Sequence, residues 1–440
     1  MTPLLEDLQR FLDQAPTAYH AVQEVGDRLA LRDFTPLKEE DLWSMNAGGR
    51  YFVVRGGALC AFILPTQSPK RALILGAHTD SPGLKLKPLA DYCQGNYWLL
   101  GTEIYGAPLL SSWLNRDLGI AGRVFITDSE GASHVKLVWI DDAPGVIAQL
   151  ALHLNHNVNS EGLVVDKQNH LTCFGGLCAE NSATKGFLES LLRRHISFNS
   201  LLGFDLFLVP LEAARFGGYH GEFLSSYRLD NLAGCHACLT ALGLLEKPSE
   251  EMLQMIIFWN HEEIGSRTRE GADSPFLADI LTRIRLNVEI DEESWLRMKC
   301  CSQLVSVDAA HALHPGYEDK FDPRHLPLMG KGIVLKYHAG HRYTTDGATG
   351  SAMLSSLSRL GVPHQPYVTR NNLNSGSTIG PIVETQLGIP SVDLGIPLLS
   401  MHSIREVMAS KDYLDLCALL HDLFLHFASD QEGAMYQEII

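Results

Sequence analysis

Apolar residues recur at helical spacing through residues 3 to 31, PLLEDLQRFLDQAPTAYHAVQEVGDRLAL, and predict an amphipathic helical stretch broken near Pro16. YFVVRG and LCAFILP then read as short strands, and RALILGAH as a buried one. From about residue 89 the texture changes to short β-like runs separated by glycine turns, which predicts a mostly β module. PGVIAQLALHLN predicts a helix, residues 155–182 read as loop, and FDLFLVP predicts a further strand. After residue 230, helical and strand patterns alternate up to a final helix near 410–428. Such alternation predicts an α/β sheet covered by helices on both faces. The simplest organisation assembles this domain from residues 1–88 and 224–440, interrupted by an inserted, largely β module at 89–223.

Bulk composition narrows the function. A chain of 440 residues exceeds one simple core, which fits a domain carrying an insertion. Thirty-five basic against 51 acidic residues give a formal charge of -16, which argues against a nucleic-acid or anionic-membrane partner. The absence of a long apolar run, with acids in MTPLLEDLQRFLDQ, predicts a cytoplasmic protein that does not span a membrane. Nine cysteines without framework spacing predict reduced thiols. Cys235 and Cys238 have redox or zinc spacing, but they lie in a helical apolar pattern and read as packed core thiols.

Chemistry gathers where strands end. RALILGAH runs into His78-Thr79-Asp80, QMIIFWN into His261-Glu262-Glu263, SQLVSV into Asp308, and PSVDLGIPLLS into His402; Asp230 in YRLDNLAGC is a further candidate. Taken singly, Asp230 would serve as a helix cap, the glutamates as a solvated loop, Asp308 as a turn cap and His402 as a core histidine. Together they put His, Glu-Glu, Asp and His on one rim, where open α/β sheets bind ligands. Two histidines and three carboxylates suit two divalent ions sharing one carboxylate. Oxygen and nitrogen donors without thiolate fit zinc, and manganese or cobalt would accept the same set. Adjacent residues point apart, so Glu263 can bind metal while Glu262 faces an attacking water as general base. Asp80 would accept a hydrogen bond from His78 and fix its tautomer.

The ordered motifs GAHTDSPGLKLKP, SYRLDNL, NHEEIGS, SVDAAHALHP and SMHSIRE closely resemble the aspartyl aminopeptidases, dizinc exopeptidases, over nearly the whole chain. The resemblance implies one ion held by His78, Asp230 and Asp308 and another by Asp230, Glu263 and His402, with Asp230 bridging and Glu262 as base. It implies release of N-terminal aspartate or glutamate from peptides with a free N-terminus. It also implies a dizinc-exopeptidase domain with an inserted dimerisation domain, and assembly of dimers into a dodecamer. Lys336 and Tyr343 match the family's acidic-substrate pocket, and His153 resembles a histidine lent by a neighbouring subunit. The stretch TTDGATG after Tyr343 is richer in glycine and threonine than in some members, and NNLNSGSTIGP reads as a channel-lining loop. Rival expectations are a dizinc aminopeptidase or deacylase of other specificity, and a catalytically silent oligomeric scaffold.

Overall fold

Strand Arg71–His78 shows how the sequence builds the core. Leu73, Leu75 and Ala77 enter one apolar cluster, whereas Ala72 and Ile74 enter another on the opposite side. A strand covered on both faces must be apolar throughout, which explains its unbroken hydrophobic run. The computed structural model describes residues 2–178 and 186–427. Among these, nine strands form a mixed sheet in which Met252–Trp259, Arg71–His78 and Gln303–Val307 lie side by side and parallel at the centre. Helices Pro3–Gln14, Ala18–Ala30, Leu229–Gly243, Gly347–Leu360 and Ser410–His426 bury their apolar faces in the first cluster. Phe276–Asn287, Glu292–Cys300 and Ile379–Leu387 cover the other side. The first two helices flank Pro16, where the sequence predicts the break.

A second, six-stranded sheet runs from Gly83–Gln94 to Ser200–Pro210 around its own core, which includes Trp113, Ile140 and Leu206. A third sheet of five short strands includes Pro397–Leu399 and Glu406–Ala409. No helix among the described residues is long and apolar enough to cross a membrane.

Three expectations fail here, the first being the loop over 155–182, which contains the strand Cys173–Leu177, while residues 179–182 of that reading lie outside the described residues. The helix expected over 144–155 does not form: strand Ser133–Gly145 continues into it, and only a 3₁₀ turn at Leu152–Leu154 follows. Leu150 and Leu154, one helical turn apart, are exposed, as is Leu152 between them, so the helical pattern has no core among the described residues to pack against. The expectation that all cysteines are reduced thiols fails at Cys93 and Cys178, which form a disulfide across 85 residues of sequence. Cys235 and Cys238 are buried free thiols, as their apolar surroundings predict.

Candidate metal centre

The three central parallel strands deliver the first donors. His78 is the last residue of its strand, Asp308 follows Val307, and Glu262 and Glu263 sit in a 3₁₀ turn just beyond Trp259. Asp308 is placed by its N–H, which donates to Leu394 O at 2.9 Å. A Cβ at Gly395 would collide with the Asp308 carbonyl oxygen, so the neighbouring strand needs glycine there. Asp230 enters at the start of helix Leu229–Gly243. Asn231 Nδ2 donates to Val307 O at 2.7 Å and anchors that helix start to the sheet. His402 departs from the expected pattern, because its strand, Pro397–Leu399, belongs to the small third sheet.

All five candidate ligands converge. His78 Nε2 lies 3.3 Å from Asp230 Oδ1 and 3.5 Å from Asp308 Oδ1. His402 Nε2 lies 3.4 Å from Asp230 Oδ2 and 3.4 Å from Glu263 Oε1. Two donors bound tetrahedrally at zinc–ligand distances stand ~3.3–3.5 Å apart. The observed separations match that spacing, and Asp230 directs one oxygen to each group. Asp230 Oδ1 and Glu263 Oε1 are buried without a hydrogen-bond partner among the described residues, which suits them to bind a cation. His78, Asp230 and Glu263 meet the spacing of a metal site on ligand-atom distances alone. The donor set fits a divalent metal.

Glu262 lines the adjoining cleft of about 350 Å³ together with Lys336 and Tyr343. Its carboxylate has no hydrogen bond or ion pair among the described residues. Asp80 is occupied differently from expectation. His78 Nδ1 bonds the backbone carbonyl of Asp80 at 3.0 Å, with the carboxylate at 3.5 Å. The Asp80 carboxylate instead accepts Tyr105 Oη at 2.7 Å and the N–H groups of Glu262 and Glu263 at 3.1 and 3.2 Å. It thus holds the glutamate turn as well as lying beside His78. Lys336 is buried, with Nζ 3.0 Å from Asp308 Oδ2 and donating to Ala309 O at 2.7 Å. Tyr343 is also buried, and its ring centroid lies 5.4 Å from Lys336 Nζ. His153 is not brought to this cleft; it sits in the exposed turn Leu152–Leu154.

Two participants escaped the sequence reading, Tyr105 and Glu406. Buried Glu406 accepts the Asp230 N–H through Oε2 at 2.9 Å and the His402 N–H through Oε1 at 2.7 Å. It therefore ties together the backbones of two candidate ligands. The only signal was its place in SMHSIRE, four residues after His402. Glu406→Ala is expected to weaken metal binding ~10–100-fold, as loss of groups orienting a ligand typically does. Competition with a chromogenic chelator measures this; wild-type affinity in the variant would contradict the role.

Burial and mutual charge shift the titration of the clustered groups. Burial depresses both histidines, but contacts with Asp230, and for His78 also with Asp308 and Asp80, outweigh it and raise their pKa values. Glu262 is pushed up to about 8, first by burial and then by the charges of Asp308, Asp80 and Asp230. Glu406 also reaches about 8, through burial and the Asp230 charge. A group with a raised folded pKa contributes stability that is complete below its unfolded pKa and is lost as pH rises through the folded one. For the two glutamates this window runs from 4.5 to about 8. Thermal unfolding of the metal-free protein should therefore move to lower temperature as pH rises through that window. Metal-saturated protein should resist the change, because bound cations replace the protons. A flat metal-free profile would contradict this electrostatic picture.

A parallel-centred α/β sheet that presents such a donor cluster at its strand ends has the architecture of a metallohydrolase. Comparison with known proteins makes the class specific. The profile of the aminopeptidase I zinc metalloprotease (M18) family matches residues 11–424. The probable M18 family aminopeptidase 2 of Streptomyces avermitilis is 38% identical over 415 residues, covering 92% of this chain and 94% of its own. The protein of that name from Pseudomonas aeruginosa strain UCBPP-PA14 is 38% identical over 424 residues, covering 95% and 97% respectively. A chain of the Ape4 and Nbr1 complex, solved by cryo-EM, superposes with a TM-score of 0.93 at 33% identity, covering 99% of this chain and 88% of that one. A chain of the S. cerevisiae mApe1 dodecamer gives 0.82 at 26% identity, covering 97% and 98%. The chain belongs to the M18 family of zinc aminopeptidases and is a metallo-hydrolase.

Proposed function

We propose that this protein is a two-ion aminopeptidase that releases N-terminal aspartate or glutamate. The observation that carries the reading is Asp230, whose two oxygens face His78 and His402 at 3.3 and 3.4 Å. His78, Asp230 and Asp308 would hold one ion, and Asp230, Glu263 and His402 the other. Two divalent ions, zinc by the family's description and manganese or cobalt by donor chemistry, would supply Lewis acidity to the scissile carbonyl and acidify the attacking water. Glu262 takes a proton from that water and returns it to the leaving amine. Asp80 holds the turn bearing Glu262 and Glu263, so the base keeps its aim.

Lys336 is the cation proposed to face the acidic side chain. An ammonium has three donors, and two are spent on Asp308 and Ala309, which leaves one for substrate. The Asp308 pair also favours a second reading, in which Lys336 serves only that ligand and the enzyme accepts other N-terminal residues. Assembly of dimers into a dodecamer is proposed on the S. cerevisiae mApe1 dodecamer, with the inserted sheet as dimerisation surface and His153 reaching a neighbouring cleft. A cytoplasmic location is proposed on the sequence reading.

Metal titration of chelator-stripped protein tests the two-ion reading. Two equivalents per chain, with hydrolysis of a free-N-terminal aspartyl peptide but not its N-acetylated form, are expected. Full activity with one equivalent bound, or cleavage of the acetylated peptide, would overturn it.

A further inference from the structure

The inserted sheet touches the metal centre of its own chain. At the end of strand Tyr97–Tyr105 the backbone turns at Gly106 with φ +68° and continues through Ala107 to Leu109. This short strap meets three parts of the site. Tyr105 Oη donates to Asp80 Oδ2 at 2.7 Å, on the His78 side. His402 Nδ1 bonds Ala107 O at 3.1 Å, and Leu109 N–H donates to His402 O at 2.8 Å. Between them Gly106 passes close to Glu263: a Cβ added there would lie 3.2 Å from Glu263 Cβ and 3.3 Å from its carbonyl oxygen.

We infer that the strap Tyr105–Leu109 is a positioning element for metal binding, through which the geometry of the inserted sheet sets the affinity of the centre. Donation from Nδ1 to Ala107 O leaves His402 Nε2 as the lone-pair nitrogen, the one facing Asp230 and Glu263. His402 itself has φ +65°, a conformation that costs a residue with a Cβ and persists only when its surroundings enforce it. The Leu109 bond on one side and the Glu406 bond on the other supply that restraint. Tyr105 performs the matching task for Asp80, and its ring is held edge-on against Phe207 of the same sheet, 5.5 Å between centroids. Strand Tyr97–Tyr105 pairs along its length with Gly83–Gln94, so a shift of that hairpin would carry the strap with it.

The inference rests on the ligand set proposed above, and the test separates the two. Zinc affinity of chelator-stripped protein is measured by competition for wild type, Tyr105→Phe, Gly106→Ala and, as a control on the same strand, Tyr97→Phe. Circular dichroism and thermal unfolding of each metal-free form are recorded alongside. Tyr105→Phe keeps the ring and removes only the hydroxyl, so it preserves folding even if Gly106→Ala does not. The expected result is ~10–100-fold weaker zinc binding for Tyr105→Phe, and for Gly106→Ala where it folds, with no change for Tyr97→Phe and unaltered spectra. Wild-type affinity in Tyr105→Phe would overturn the strap, whatever the stoichiometry. Fewer than two equivalents bound by wild type would overturn the two-ion reading, while the affinity difference between wild type and Tyr105→Phe would still decide the strap.

Discussion

Glu262→Gln is expected to bind metal as wild type does and to lose ~10²–10⁴-fold in kcat, the usual range for a positioned general base. The substitution keeps shape and removes the basic oxygen. Glu262 stands outside the set of 3.3 to 3.5 Å donor separations, so its loss costs the proposed ions no ligand. Its carboxylate lines the cleft and is pushed up to about 8 by burial and neighbouring carboxylates, whereas cations beside it would lower that value and favour the carboxylate form. A base poised near working pH is the one that both accepts and returns a proton efficiently. Single-turnover rates on an aspartyl peptide, with metal content measured on the same sample, check this. Activity within a few fold of wild type would remove Glu262 from the base role, and loss of metal would reassign it as a ligand.

Lys336→Met is expected to reduce the preference for aspartyl over leucyl substrates by ~10²-fold or more. Two opposite charges near 4 Å interact by roughly 4 kcal/mol at an effective dielectric near 20, and each ~1.4 kcal/mol is tenfold in rate. Burial works against the charge on Lys336, but Asp308 beside it holds its pKa above the ordinary lysine value, so the cation persists at every working pH. Methionine retains the stem and deletes the charge. Asp308 then loses its partner at 3.0 Å, so some loss is expected on both substrates. The ratio of kcat/KM values isolates the part that belongs to substrate. An equal fall on both would show that Lys336 serves Asp308 alone.

How much was legible depended on whether a residue acts through its side chain or through a backbone. His78, Asp308 and the Glu262-Glu263 pair stood out because each interrupts an apolar run at the end of a central parallel strand, where burial on both faces otherwise forbids charge. His402 was read as a fourth strand end although it leaves a different sheet, and Asp230, which opens a helix, was a bare candidate whose role came from the ordered motifs. Glu406 and Tyr105 were not legible: one accepts backbone N–H groups and the other supports Asp80 from the inserted sheet, contacts that no periodicity encodes. The Asp80 carbonyl is the nearer hydrogen-bond partner of His78, with the carboxylate at 3.5 Å, because the chain leaves the strand after His78. Helical spacing misled at 144–155, because exposed leucines carry the same pattern as buried ones.

Hydrolysis of aspartyl and leucyl anilides by chelator-stripped protein, before and after zinc or manganese is restored, tests the central claim most directly. The account predicts no turnover without metal and restored turnover favouring aspartate. Restored turnover favouring leucine would contradict the specificity, and no turnover with both equivalents bound would contradict catalysis by this site altogether.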